Sequence, residues 1–238
     1  MALALLAVAA CAPKPLLARA IAARGGPLPG FVRESEARVA RGFPGTWRWR
    51  QVYLVPDRYA WTIYTAGEPD HYLFDGTTAR AFVGGAPVSA TPGATSPLRT
   101  HARFVAVVNL DALALPGVAL APLAPGDLSP GAARGLDIVF ADDGARYRLA
   151  FDARDLLVAA TGPLALPPFG SGTVTARFAD FVPRGRFRLP ARTTWTLGDT
   201  LLAEERVLAA CPDPAGLDPG AFAAPTALPD CPPGGAAR

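Results

Sequence analysis

Apolar and polar side chains alternate one by one in short stretches along most of this sequence, and turn residues separate the stretches. The first clear stretch puts different residues on the two sides of an extended chain: Trp47, Trp49, Gln51 and Tyr53 on one, Arg48, Arg50, Val52 and Leu54 on the other. A period of two is typical of half-buried β-strands. The 26 prolines and 24 glycines disfavour a helical bundle and indicate many short elements joined by turns.

This pattern predicts a mainly β chain of about ten or eleven strands. Asp75-Gly76 and Asp142-Asp143-Gly144 are hairpin signals, and helical spacing is confined to residues 15–23 and 100–115. Short connections imply antiparallel neighbours, and a sheet with one apolar face must curl and cover that face. We therefore predict a single curved antiparallel sheet, an incomplete or half β-barrel, with one or two helices over its concave face.

The N-terminal apolar run ends at Cys11 and is too short to cross a bilayer. It suits the apolar core of an export signal, and Val8-Ala9-Ala10-Cys11 has the form of a lipobox. We predict a signal peptide over residues 1–10, lipid attachment at Cys11 and an anchored segment with a short helix over residues 11–29. No Lys or Arg precedes the run, so two alternatives stay open: a start further upstream, and a buried helix ending at Pro13.

The other two cysteines, Cys211 and Cys231, form an even pair once Cys11 carries lipid. They flank a stretch rich in Pro, Gly and Ala, within a tail that we place at residues 211–238. A disulfide between them would tie this tail to the last strand and would persist only in an oxidising compartment. We predict that disulfide; the alternative is two unrelated thiols.

Motifs for chemistry are missing from the sequence. The two histidines, His71 and His101, are thirty residues apart and lack metal-site spacing. No Gly-x-Ser-x-Gly elbow or phosphate-binding glycine loop occurs. The 23 basic residues, all arginine except Lys14, are scattered singly rather than gathered in a nucleic-acid-binding stripe. We therefore expect no catalytic residue, metal, cofactor or nucleic-acid partner.

Several segments resemble the outer-membrane lipoprotein carrier and receptor family (LolA/LolB-like) and its lipid-binding relatives. Residues 45–51, 55–61 and 72–78 look like the family's succession of a strand, a Pro turn with an aromatic strand, and a hairpin with Asp-Gly. Residues 178–181 and 185–190 are similar to its closing strands, where a turn with Gly leads to Leu-Pro. The resemblance covers about residues 30–210, and no single motif in it is diagnostic.

The resemblance implies an incomplete barrel over residues 30–210, closed by helices, with an apolar cavity for acyl chains. The candidate wall residues are aromatic: Trp47, Trp49, Tyr59, Trp61, Tyr72, Phe74, Phe82, Tyr147 and Phe151. In the carrier a basic residue before the Pro of the second turn helps to hold the lid. Val55 stands at that position here, so the carrier's release mechanism is not carried over.

The expected function is that of a non-catalytic lipoprotein of the bacterial envelope. Its partners would be acyl chains of lipids or lipoproteins, with transport of lipids or lipoproteins to the outer membrane as its role. An acyl anchor would hold it on the periplasmic face of the outer membrane. The rival hypothesis is a structural or assembly protein that presents the same fold to another envelope protein, through Trp195 and the tail.

Overall fold

The computed structural model describes residues 13–42, 44–88, 92–166 and 170–231. The predicted signal peptide, the lipid attachment site at Cys11 and the end of the tail after Cys231 lie outside the described residues. None of the helices in the described part is long and apolar enough to cross a membrane.

The described residues form two α-helices and one sheet of thirteen strands. The helices are α1 (Pro13–Arg24) and α2 (Pro92–Val108). The strands are β1 (Gly30–Val39), β2 (Gly45–Leu54), β3 (Arg58–Tyr64), β4 (Asp70–Phe74), β5 (Ala79–Val83), β6 (Ala86–Val88), β7 (Val118–Pro122), β8 (Arg134–Phe140), β9 (Arg146–Phe151), β10 (Leu157–Leu166), β11 (Gly170–Arg184), β12 (Phe187–Leu197) and β13 (Thr200–Pro212). Short 3-10 turns occupy Asp111–Ala114, Pro125–Asp127, Pro219–Phe222 and Pro225–Ala227.

The chain enters the sheet in the middle. It meanders outward from β1 to β6, re-enters at the opposite edge as β7, and meanders back until β13 pairs with β1. Every described pairing is antiparallel, and β6 and β7 do not close the sheet into a barrel. Helix α2 connects the two edges, so this one helix must pass over the sheet, where it packs against β2, β3, β4, β5 and β10.

The predicted fold class is confirmed: a mainly β chain with one open, curved antiparallel sheet and two helices. The sequence undercounted the strands because β6 and β7 carry little alternation. All three residues of β6 are exposed, as are three of the five in β7. Helix α2 begins eight residues before Thr100, where the predicted helical segment starts.

The concave face holds two apolar clusters, one at each side of the sheet, and both helices pack into them. Leu16, Leu17 and Ala20 of α1 join a cluster with β8 to β11. Helix α2 contributes to both clusters, with Phe104 in that one and Ala102 in the cluster over β1 to β5. The helices therefore cover the apolar face of the sheet, as expected from the alternating pattern.

The tail covers part of the convex face. Phe222 and Leu228 pack on Val32, Val52 and residues of β3 and β4, and Phe222 is fully buried. Arg50 of β2 also lies on this face. Its guanidinium pairs with the Asp230 carboxylate at 3.1 Å and donates to the carbonyls of Leu228 and Pro229. The expected disulfide between Cys211 and Cys231 is present and closes this segment onto the end of β13.

We predict that the double variant Cys211→Ser/Cys231→Ser loses about 3 kcal/mol of unfolding free energy, because a bond across 20 residues restricts the unfolded chain by that order. Denaturant titration would measure the loss. Wild-type protein treated with a reductant serves as the matched control and should unfold at the same concentration as the variant. A variant as stable as the oxidised wild type would contradict the tethering role.

Candidate binding site beneath the two helices

An apolar cavity, which we call the main cavity, lies on the concave face between the two helices and the middle of the sheet. It measures about 100 Å³. Its lining is mostly apolar and comes from both helices and from β1, β11, β12 and β13. The main lining side chains are Ala20, Leu28, Phe31, Phe104, Val105, Val108, Leu110, Phe178, Phe181, Leu189, Pro190, Trp195, Val207 and Ala210. An apolar surface enclosed in this way is suited to an apolar ligand.

The size of this cavity limits what it can hold with the helices in place. Pockets for drug-sized ligands measure roughly 300–1,000 Å³, several times the space present here. The cavity can take a short apolar group or one part of an acyl chain. A longer chain can enter only if α1 or α2 moves away from the sheet, so the contacts that hold the helices decide access.

A buried arginine joins the ends of the two helices. Arg24, at the C-terminal end of α1, donates to the Asp111 carboxylate at 2.8 Å and to the backbone carbonyl of Asn109, just after α2. The Asn109 amide donates to the Leu28 carbonyl at 2.7 Å, and the Leu28 N–H donates to Asp111 at 2.8 Å. Burial lowers the pKa of Arg24, and Asp111 opposes that effect. We call these four residues the helix clasp.

A second arginine holds α2 against the turn between β8 and β9. The Arg103 guanidinium donates to both oxygens of Asp142, at 3.1 and 2.7 Å, in the turn between β8 and β9. It also lies 4.0 Å from the centre of the Phe140 ring. The hydrogen bonds from Arg103 lower the pKa of Asp142. Both ends of the cover over the cavity are therefore held by polar contacts rather than by covalent bonds.

A chain of polar side chains crosses the concave face beside the cavity. Glu205, fully buried on β13, pairs with Arg33 of β1 at 3.3 Å. Arg33 Nε donates to Gln51 Oε1 at 3.0 Å, and Gln51 Nε2 donates to the Tyr59 hydroxyl at 2.8 Å. That hydroxyl lies 3.0 Å from Nε2 of His101 on α2. The chain thereby connects β13, β1, β2 and β3 to the helix above them.

Two indoles complete the environment of Glu205. Trp49 and Trp195 each donate their ring N–H to a different oxygen of this carboxylate, at 3.3 and 3.1 Å. Together with Arg33, they supply hydrogen-bond donors to this buried carboxylate. The main cavity is lined by Arg33, Gln51 and Trp195, and a smaller space of about 30 Å³ lies between Trp61, His101 and Glu205.

His101 is neutral in this environment. Complete burial lowers its pKa to about 3, and the nearby Arg33 charge acts in the same direction. Since the Gln51 amide donates to the Tyr59 hydroxyl, that hydroxyl is free to donate to His101 Nε2. The ring proton then lies on Nδ1, which has no partner among the described residues.

Most of the predicted wall residues lie on the concave face, but not around the main cavity. Six of them pack together over β2, β3 and β4: Trp47, Trp49, Tyr59, Trp61, Tyr72 and Phe74. Tyr147 and Phe151 belong to the other concave cluster. None of the nine lines the larger cavity, and only Trp49 and Trp61 line the smaller one. Their positions are those of core residues beside the site.

Phe82 lies on the opposite face of the sheet from the one predicted. It pairs with His71 in the register of β4 and β5, which puts it on the convex face, and it packs against the cluster beneath the tail. The sequence gave no warning, because the tail covers the convex face here, and a strand covered on both faces carries apolar residues on both sides.

No family model matches the chain, and no curated protein matches it in sequence. A solved structure of a LolA superfamily protein from Nitrosomonas europaea matches 90% of this chain and 98% of its own, with a TM-score of 0.58 and 13% identity. This chain has the LolA superfamily fold. The predicted resemblance is confirmed at the level of the fold, which is what an identity this low can show.

Two further structures match at a TM-score of 0.47. One is a putative outer membrane lipoprotein-sorting protein domain from Vibrio parahaemolyticus, 11% identical, matching 90% of this chain and 97% of its own. The other is a DUF1329 family protein from Desulfovibrio piger, 8% identical, matching 91% of this chain and 99% of its own.

Within this LolA-like fold, sequence reasoning missed the residues that surround the main cavity. Phe104 lies in the segment with helical spacing, but neither it nor Phe178 or Phe181 was predicted as a site residue. Trp195 was named only in the rival assembly hypothesis. Glu205 was not predicted as a site residue either. One signal was available: a charged residue at an inward position of an alternating strand, such as Glu205, needs a buried partner.

The neighbouring acids Glu204 and Glu205 provide a matched test of the buried pair. Glu205→Leu leaves Arg33 and two indole donors without their acceptor, and should cost about 3–5 kcal/mol of unfolding free energy. Glu204→Leu, at an exposed position on the other side of the same strand, should change stability by less than about 0.5 kcal/mol. Denaturant titration of both variants decides; equal losses would refute the role given to Glu205.

The neutral state of His101 predicts a specific loss of stability in acid. The unfolded chain binds a proton at this histidine near pH 6.5, and the folded protein only near pH 3. Stability should therefore fall between these values as the pH is lowered, by up to about 1.4 kcal/mol per pH unit. The His101→Gln variant lacks this contribution to the pH dependence of stability, while the contributions of the carboxyl groups are the same in both proteins. Parallel stability curves for the two proteins between pH 6.5 and 3 would disprove the assignment.

Proposed function

We propose that this protein is a non-catalytic binding protein of the bacterial envelope that takes up acyl chains, carried by lipids or by lipidated proteins, between its sheet and its two helices. The apolar cavity beneath the two helices carries this proposal, and the ends of its cover are held by the polar contacts of Arg24 and Arg103. The LolA-like fold supports it, since a relative with this fold covers nearly the same length. The role would be transport of lipids or lipoproteins to the outer membrane.

Burial of apolar surface would supply the affinity. Each methylene transferred from water contributes about 0.8 kcal/mol, so an acyl chain gains several kcal/mol once inside. Against this stand the contacts broken when the helices lift, above all the helix clasp at Arg24 and Asp111. The balance of these two contributions gives a reversible carrier.

The N-terminal region would hold the protein at its membrane. We propose cleavage before Cys11, lipid attachment to that cysteine, and a location on the periplasmic face of the outer membrane. Residues 30–210 would then form the binding domain, with residues 11–29 as the anchored segment. The disulfide between Cys211 and Cys231 supports export, because such bonds persist in oxidising compartments.

Native mass spectrometry with lipid extraction tests this proposal on mature protein purified from the envelope. We expect a co-purifying lipid, and a diacylglyceryl mass on the peptide that begins at Cys11. An empty protein whose N-terminus is unmodified would contradict both the carrier function and the anchor.

A pair of valine variants tests whether the cavity is the binding site. Val108 lines it from α2 and is half-buried, so Val108→Phe should fill it and weaken the binding of a fluorescent fatty acid by tenfold or more, the factor of about 1.4 kcal/mol. Val139, half-buried on β8, lines none of the described cavities, and Val139→Phe should bind as the wild type does. Unchanged binding by Val108→Phe would move the site elsewhere.

An assembly role remains the second candidate, because most of the concave face is filled by side chains rather than by space. Trp195 and the tail cannot form one contact surface, because Trp195 packs inside the concave face and the tail lies against the convex face. Failure of the fatty acid to bind to wild-type protein would favour this candidate over the carrier.

A further inference from the structure

Strands β11 and β12 extend beyond their neighbours at one end of the sheet. Pairing between β10 and β11 stops at Arg177, and pairing between β12 and β13 begins only at Arg192. Residues 181–184 therefore pair with residues 187–190 and with no other strand. We call residues 181–190 the arm. It leaves the sheet at Asp180, whose φ of 55° lies in the left-handed region that Asp tolerates better than most residues.

The arm carries three arginines within five residues: Arg184, Arg186 and Arg188. Arg186 and Arg188 are exposed, Arg184 is half-buried, and Arg186 also lies 4.8 Å from the centre of the Phe187 ring. All 20 Asp and Glu residues lie in the described part of the chain, yet none forms an ion pair with these three guanidinium groups there. No Asp or Glu side chain therefore neutralises their charge.

The arm also forms one lip of the main cavity. Phe181, Arg188, Leu189 and Pro190 line that cavity, and the turn after α1 packs against the backbone of Arg186 at Gly25. The uncompensated cations thus stand beside the apolar space and beside the end of the helix that covers it. A ligand that enters between the arm and α1 passes these arginines.

We propose that the arm binds the surface of a bilayer that contains anionic phospholipids, with the arginines on the headgroup phosphates. Arginine suits this role because its planar guanidinium binds phosphate oxygens in pairs. Val182 and Leu189 lie opposite each other across the two strands of the arm, are half-buried, and supply the apolar component of a membrane-facing surface. Docking in this orientation puts the mouth of the cavity at the membrane.

This inference goes beyond acyl-chain binding and does not require it. A protein whose cavity stays empty can still dock through the arm, and a protein that binds fatty acid in solution can lack any affinity for vesicles. The two proposals are therefore tested by separate measurements.

The test is vesicle co-sedimentation of the full chain. One set of vesicles contains phosphatidylcholine alone, and in the other phosphatidylglycerol replaces part of it. Wild-type protein should prefer the anionic vesicles. Each arginine near an anionic surface is worth about fivefold in affinity, so Arg184→Gln/Arg186→Gln should reduce binding to the anionic vesicles by about 25-fold. Because all variants share the same N-terminus, the ratio between the two vesicle types isolates the arm.

The control removes the same charge elsewhere. Arg38 and Arg177 are exposed on β1 and β11 and form no ion pair among the described residues, so Arg38→Gln/Arg177→Gln should keep the preference for anionic vesicles. Equal losses in the two double variants would show that only net charge matters, and would overturn the proposal. So would equal binding of the wild type to both vesicle types. Fatty-acid binding in solution, measured alongside, reports separately on the cavity.

Discussion

An open sheet with one dry face must be covered by its own chain, and the order of strands determines how. Because β6 and β7 lie at opposite edges of the sheet, the connection between them has to cross the concave face. That connection is α2. Its position beneath the curve of the sheet creates the cavity, brings His101 over Tyr59 and Phe104 over Trp195, and leaves α1 to close the remaining side.

The polar chain from Glu205 to His101 lies within this apolar cover. Buried ion pairs seldom add stability compared with apolar residues of equal size, but they define geometry, because each partner has few acceptable positions. Arg33 meets both Glu205 and Gln51 only when β13, β1 and β2 keep their register. The polar chain thus fixes the register of the strands in the middle of the sheet, where the cavity is. The apolar clusters on either side supply the free energy of folding.

Local patterns were enough to predict the fold class, the two helices and the hairpin at Asp75-Gly76. Alternation predicted the strands, helical spacing the helices, and the Asp-Gly pair the turn. The resemblance of residues 45–78 and 178–190 to a known family agreed with the fold found. The site was harder to predict: aromatics such as Trp61 and Tyr147 are equally suited to core and ligand contact, and only the path of α2 decides which remain uncovered. Phe82 was misplaced because the tail also makes the convex face apolar.

The sheet is covered on both sides, but by different kinds of attachment. On the convex face the tail is closed into a ring through Cys211 and Cys231, so thermal fluctuations cannot release it far. On the concave face the helices are held by apolar packing and by the hydrogen bonds of Arg24 and Arg103, with no covalent cross-link among the described residues. If the interior expands, the tail therefore stays in place on the convex face, and the helices on the concave face are the part that moves.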